Sequence, residues 1–149
     1  MVKALTTLVV STLLATSIGT SARQQFGSAA DENAIVSRLT TYAAAKMRRD
    51  ARAEALCYAE DADLRFGTGL SITGRANIEK AVAMTDPAFR FSLEPSSLRF
   101  LSDDVAIVEV DITTGVQSPL TKMVGTYVMV RRNVVEWLIG AVRIVPATP

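Results

Sequence analysis

The hydrophobic period of this chain changes from helical to extended near residue 62, and that change restricts the folds open to it more than any single motif does. From Asp31 the apolar positions recur at three-and-four spacing: Ile35, Leu39, Tyr42 and Lys46 mark a stripe that Val36 and Ala43 widen. After Glu60-Asp61-Ala62 the period falls to two, with Leu64 and Phe66 alternating against Asp63 and Arg65. The pattern predicts helix one over 32–49 and a second helix over 51–59, capped by Asp50 and packing Leu56 inward. Gly74 precedes a third helix over 75–84, whose face carries Ile78, Ala81 and Val82 and which Asp86-Pro87 stops.

The rest of the chain reads as strands. Phe89, Phe91 and Leu93 alternate up to Pro95, and Leu98 and Phe100 alternate up to a turn at 102–104. Segments 105–114, 122–131 and 134–145 follow, with a loop over 115–119 and a turn at Arg132-Asn133. Helices first and strands afterwards predict an α+β layout: a strongly curved, mostly antiparallel sheet packed against N-terminal helices, a cone enclosing an apolar pocket. The last strands are apolar on both faces, so the helices should cover one face and a second subunit the other.

At 149 residues the chain has the length of one domain. Its first residues give one charge at Lys3, an apolar run from Ala4 to Ala15 and then small residues to Ala22. That order is the grammar of a secretory signal over 1–22, with a cut after Ala30 as the alternative, and it implies a periplasmic or secreted protein whose domain spans 31–146. The apolar run falls short of the ~20 residues a membrane-spanning helix needs, so no stable membrane anchor is expected.

Charge excludes several partners. Cleavage after Ala22 removes one base from 16 Lys and Arg, leaving 15 against 15 Asp and Glu. A neutral chain with interspersed charges has no field to attract nucleic acid. There is no histidine and a single cysteine, and the carboxylates are scattered, so neither a metal nor a cofactor is expected. Cys57 reads as a small buried hydrophobe, and Arg48, Arg49 and Arg52 as a solvated turn.

Tyr58-Ala59-Glu60-Asp61-Ala62-Asp63 leading into a strand, followed by Gly67 and Gly74-Arg75-Ala76-Asn77-Ile78, resembles the nuclear transport factor 2-like superfamily, and within it the SnoaL-like and SgcJ/EcaC-type group. The resemblance covers about 31–145. It implies a conical fold, dimerisation through the sheet and an apolar cavity between sheet and helices. Ketosteroid isomerases share the superfamily, and a gapless match places Tyr42 where they keep an oxyanion-hole tyrosine. The same match puts Phe66 at the position of their aspartate base and Thr126 near their second oxyanion acid, so that mechanism is incomplete here. Scytalone-dehydratase-like and SnoaL-like cyclase members rely on a histidine that this chain lacks. The segment 67–72 lacks the third glycine of a dinucleotide fingerprint and reads as a turn.

Seven aromatic and charged groups remain as candidates beside Tyr42. Tyr42 packs its ring on an apolar stripe, and its hydroxyl needs a partner or a cavity. Phe66, Tyr127 and Trp137 become pocket walls for a small hydrophobic molecule if their faces point inward, and core otherwise. Glu109 and Asp111 share one strand face, which is a desolvated site or a wet outer side. Asp63, Asp111 and Arg143 form the one trio in which an arginine stands between two carboxylates, as an epoxide-hydrolase-like site requires. Three functions follow: a small-ligand-binding domain, an enzyme acting on a hydrophobic carbonyl or epoxide compound, or a structural dimerisation module whose cavity its own side chains fill.

Overall fold

A computed structural model describes residues 26–148; the expected leader lies outside the described residues. Helix α1, Ala29–Arg48, begins three residues before the expected start because Ser28 caps it. The Ser28 hydroxyl accepts from the Asp31 amide at 3.2 Å and the Asp31 carboxylate accepts from the Ser28 amide at 3.0 Å, a reciprocal capping box. Arg49 ends α1 in a left-handed turn at φ 57°. Asp50 then caps α2, Ala51–Ala55, by accepting from the Ala53 amide at 2.9 Å.

Helix α2 is shorter than the sequence suggests, because Tyr58 already pairs with the last strand opposite Ile139. Leu56 is accordingly 49% exposed rather than packed inward, and Cys57 and Tyr58 fill the interior in its place. The remaining elements are β1, Tyr58–Phe66; β2, Ser71–Thr73; α3, Arg75–Ala83; β3, Arg90–Ser102; β4, Val105–Gly115; β5, Thr121–Arg131; and β6, Trp137–Pro146.

The six strands form one sheet in the order β2-β1-β6-β5-β4-β3, antiparallel except for the parallel pair β1 and β6. Three local expectations change. Ser71 and Ile72, read as part of a turn, belong with Thr73 to β2, which pairs with Asp63–Arg65. The two apolar runs flanking Pro95 are one strand, β3, with a register shift between Pro95 and Ser97. Proline is tolerated because β3 lies at the sheet edge, where a missing amide donor costs no ladder bond. Strand β6 begins three residues late, since the Asn133 side chain accepts from the Val135 and Glu136 amides and holds the turn open to Glu136.

Alternation now assigns the faces. Val108, Val110 and Ile112 of β4, Tyr127 and Met129 of β5, and Val142 and Ile144 of β6 are buried on the inner face with Ile35, Leu39 and Tyr42 of α1. At one end of α1 the sheet is tied to the helix. The Asp31 carboxylate takes Arg131 Nη2 at 2.7 Å and Trp137 Nε1 at 3.2 Å, while the Arg131 guanidinium lies 4.6 Å above the Trp137 ring. The Ser28 hydrogen bond first, then those from Trp137 and Arg131, hold the Asp31 carboxyl below its ordinary range against the opposing effect of burial. Among the described residues no helix is long and apolar enough to cross a membrane.

Candidate ligand pocket

Helix α3 leans across the concave face of the sheet and leaves a cavity of about 420 Å³ beneath it. Its walls are Ile78, Ala81 and Val82 of α3, Leu64 and Phe66 of β1, Ile72 of β2, Phe91 of β3, Ile112 of β4, Met123 of β5, and Val142 and Ile144 of β6. The motif that carries the family resemblance builds this geometry. Gly74 at φ 85° turns the chain into α3 and donates its amide to the Ala62 carbonyl at 2.8 Å. Arg75 Nε then donates to the Tyr58 carbonyl at 2.8 Å, so the two halves of the motif lock α3 over β1.

The polar end is made where α1 meets α2. The left-handed turn at Arg49 folds the chain back, so Lys46 in the last turn of α1 meets Glu54 of α2: Nζ stands 2.7 Å from Oε1. The Glu54 side chain is 1% exposed and that of Lys46 18%. Lys46 Nζ also lies 5.5 Å from the Tyr42 ring centre, 5.3 Å from Phe91 and 6.0 Å from Phe89. An ammonium facing aromatic rings and one carboxylate is electrostatically matched without water. The second carboxylate oxygen, Oε2, is buried and receives no hydrogen bond. Desolvation is the dominant influence on Glu54 and pushes its carboxyl above the ordinary range, with Lys46 opposing it.

Tyr42 stands beside this pair. Its ring meets Tyr58, Phe91 and Tyr127 edge to face at centroid distances of 5.7, 5.9 and 5.9 Å. The Tyr127 hydroxyl donates to the Tyr42 hydroxyl at 3.3 Å. Burial drives the acidity of Tyr42, Tyr58 and Tyr127 far from neutrality, so all three remain phenols.

The structure sorts the sequence candidates sharply. Tyr42 and Phe66 line the cavity. Tyr127 reaches it only through its hydroxyl on Tyr42, its ring being core. Trp137 is not a wall: it is buried at the clamped end against Phe100 and Asp31. Asp63, Asp111 and Arg143 do not form a site in the cavity, because all three project from the opposite, outer sheet face. Arg143 Nη2 lies 3.0 Å from both Asp63 oxygens and the Arg65 Nε 3.2 Å from one of them, a surface pair with Arg143 43% exposed. Asp111 is exposed between Glu94 and Val124 and joins neither. Glu109 accepts from Thr126 Oγ1 at 2.8 Å on that same face, which removes Thr126 from any role in the cavity. Cys57 is buried and free, as a small hydrophobe would be. Among the described residues no group of three potential ligands can hold a metal ion.

Lys46 and Glu54 escaped sequence reasoning as a pair. The available signal was Lys46 itself, a cation four residues beyond Tyr42 on the buried stripe, which requires a counter-charge from a neighbouring element.

No family model and no curated protein matches the sequence. Solved structures do match. A domain of unknown function with a cystatin-like fold from Nostoc punctiforme PCC 73102 superposes with a TM-score of 0.73 at 20% identity, over 83% of this chain and 81% of that one. The chain has the cystatin-like, nuclear transport factor 2-like fold. A ketosteroid isomerase-like protein from Erwinia carotovora atroseptica SCRI1043 gives 0.67 at 14% identity over 78% of this chain and 96% of that one. A nuclear transport factor 2-like protein of unknown function from Pseudomonas putida KT2440 gives 0.67 at 18% over 83% and 91%. At these identities the likeness concerns the fold, and a fold of this kind hosts many unrelated activities.

Proposed function

We propose that this protein is a small-molecule-binding domain of the SnoaL-like, SgcJ/EcaC type that takes a hydrophobic compound into the cavity beneath α3. One observation carries the reading: about 420 Å³ between α3 and the sheet is left unfilled by side chains, behind walls that are mainly apolar. A structural module whose own side chains fill its cavity is disfavoured by the same volume. Native mass spectrometry of the protein from its own host tests the proposal, with Val82→Trp, which projects a large ring into the space, as the control. The expected result is a nonprotein mass retained by the parent and lost in the variant. Retention of that mass by the variant refutes the site.

A second reading, proton transfer on a bound hydrophobic carbonyl compound, is favoured by Glu54, a carboxylate with a free oxygen beside the Tyr42 phenol. Asp63 and Asp111 cannot serve as its base, since they face away from the cavity, and the epoxide version loses its arginine with them. Deuterium incorporation into 2-tetralone by the parent and not by Glu54→Gln would establish this activity; equal rates would dismiss it.

Export and self-association complete the proposal. The leader grammar of residues 1–22 supports a periplasmic or secreted location, and a cut after Ala22 leaves intact the Ser28 cap that a cut after Ala30 would remove. The outer sheet face supports a homodimer: Val105, Ile107, Val128 and Val130 form an apolar patch bordered by the polar row Glu109, Thr126, Arg143 and Arg65.

A further inference from the structure

We infer that the Lys46–Glu54 pair is a recognition subsite for a neutral hydroxyl, so that the cavity selects apolar alcohols and phenols over ethers and carboxylic acids of the same skeleton. The inference rests on the reading of the cavity as a ligand site and names the chemistry of its buried end.

Three observations converge on it. Glu54 lines the cavity, its side chain is 1% exposed, and Oε2 has no hydrogen-bond partner although Oε1 is held at 2.7 Å by Lys46. A buried carboxylate oxygen without a donor is costly, and native proteins supply the missing donor from protein, water or ligand. The second observation is charge. Lys46 is matched by Glu54 and otherwise surrounded by the rings of Tyr42, Phe91 and Phe89, so the subsite is neutral as a unit and offers no free cation to an anionic head group. A ligand carboxylate placed there meets the Glu54 oxygen and is repelled. The third is the rest of the lining. Apart from the hydroxyls of Thr68, Thr85 and Thr114 and the two tyrosines, the wall is built of apolar side chains such as Ile78, Val82, Ile112 and Val142, so Glu54 is the one carboxylate a ligand hydroxyl meets there.

An ether lacks the proton that Oε2 accepts, and a ketone presents a second acceptor to it. A hydroxyl donates to Oε2. A charge-assisted hydrogen bond to a buried carboxylate discriminates by about tenfold or more.

The test is calorimetric titration of the full mature chain at pH 7 with 4-phenylphenol, 4-methoxybiphenyl and biphenyl-4-carboxylate. The expected result is binding of the phenol at least about tenfold tighter than either of the others. In Glu54→Gln, whose fold is checked by near-ultraviolet circular dichroism, the advantage over the ether should fall below about threefold, because a neutral amide replaces the charged acceptor. Equal affinities for phenol and ether in the unaltered protein overturn the subsite while the pocket stands, and that comparison needs no variant. Tightest binding of the carboxylate overturns it in favour of Lys46 as an anion site. Failure of all three probes to bind removes the pocket reading and the subsite with it.

Discussion

Replacing Lys46 by Met keeps an unbranched chain of similar length in contact with the aromatic rings and removes the charge that Glu54 faces. At 2.7 Å and an effective dielectric of about 20, the lost attraction is about 6 kcal/mol. That figure is not the cost, because the orphaned carboxylate can escape by taking up a proton. Holding a proton at pH 7 on a group whose ordinary value is 4.5 costs about 3.4 kcal/mol, at 1.36 kcal/mol for each pH unit between. Lys46→Met should therefore destabilise the domain by about 3 kcal/mol at neutral pH, within the range found when one partner of a buried pair is removed. The sign with pH follows directly. A folded-state carboxyl raised above its unfolded value favours the native state at low pH and loses that contribution as pH rises. The deficit should thus shrink by about 1.4 kcal/mol per unit of acidification from pH 7 until Glu54 of the parent protonates as well. Urea denaturation of parent and variant at pH 5.5 and 7 measures both the size and the slope. The double variant Lys46→Met, Glu54→Gln should recover most of the loss, since a neutral side chain leaves no buried charge to neutralise. A deficit below about 1 kcal/mol at pH 7, or one that does not change with pH, would refute the claim that this pair is desolvated.

Other consequences are open to simpler measurements. Tyr42→Phe removes the acceptor of the Tyr127 hydroxyl and leaves that buried group unpaired, so thermal or urea unfolding should report a loss of about 1–3 kcal/mol with the cavity still present. Ile78→Ala truncates a fully buried wall residue and should cost about 2–5 kcal/mol in the same assays, while a bulkier phenol gains access to the enlarged space. On the outer face, Val128→Arg sets a cation in the apolar patch; sedimentation velocity should find dimers for the parent and monomers for the variant, and an unchanged dimer would place the interface elsewhere.

The parts of the fold legible in the sequence are those written in local periodicity. The three-and-four stripe of α1 and the alternation of β4 appear as Ile35, Leu39 and Tyr42, and as Val108, Val110 and Ile112, all of them buried. Misreadings arose where a distant partner overrode a local signal. Leu56 has the composition of a helical core residue, yet pairing of Tyr58 with Ile139 ends the helix before it can turn inward. Pro95 looks like a strand terminator, and only its place on the edge strand lets β3 run through it. Trp137 alternates correctly and is buried, but alternation says which face a residue occupies, not whether the cavity or the clamp at Asp31 lies beneath it.

The site itself was the least legible part, for a reason that is physical rather than statistical. A carboxylate search by strand spacing finds Asp63, Glu109 and Asp111, whose alternation is regular because they sit on the face that needs no desolvation. The carboxylate that enters the cavity lies on a five-residue helix with no period to display. Its partner is eight residues away across a left-handed turn that neither helix pattern predicts. What makes Glu54 chemically distinct is therefore created by the joint between α1 and α2: the reversal at Arg49 brings an ammonium to one of its oxygens and leaves the other buried at the cavity wall without a protein donor.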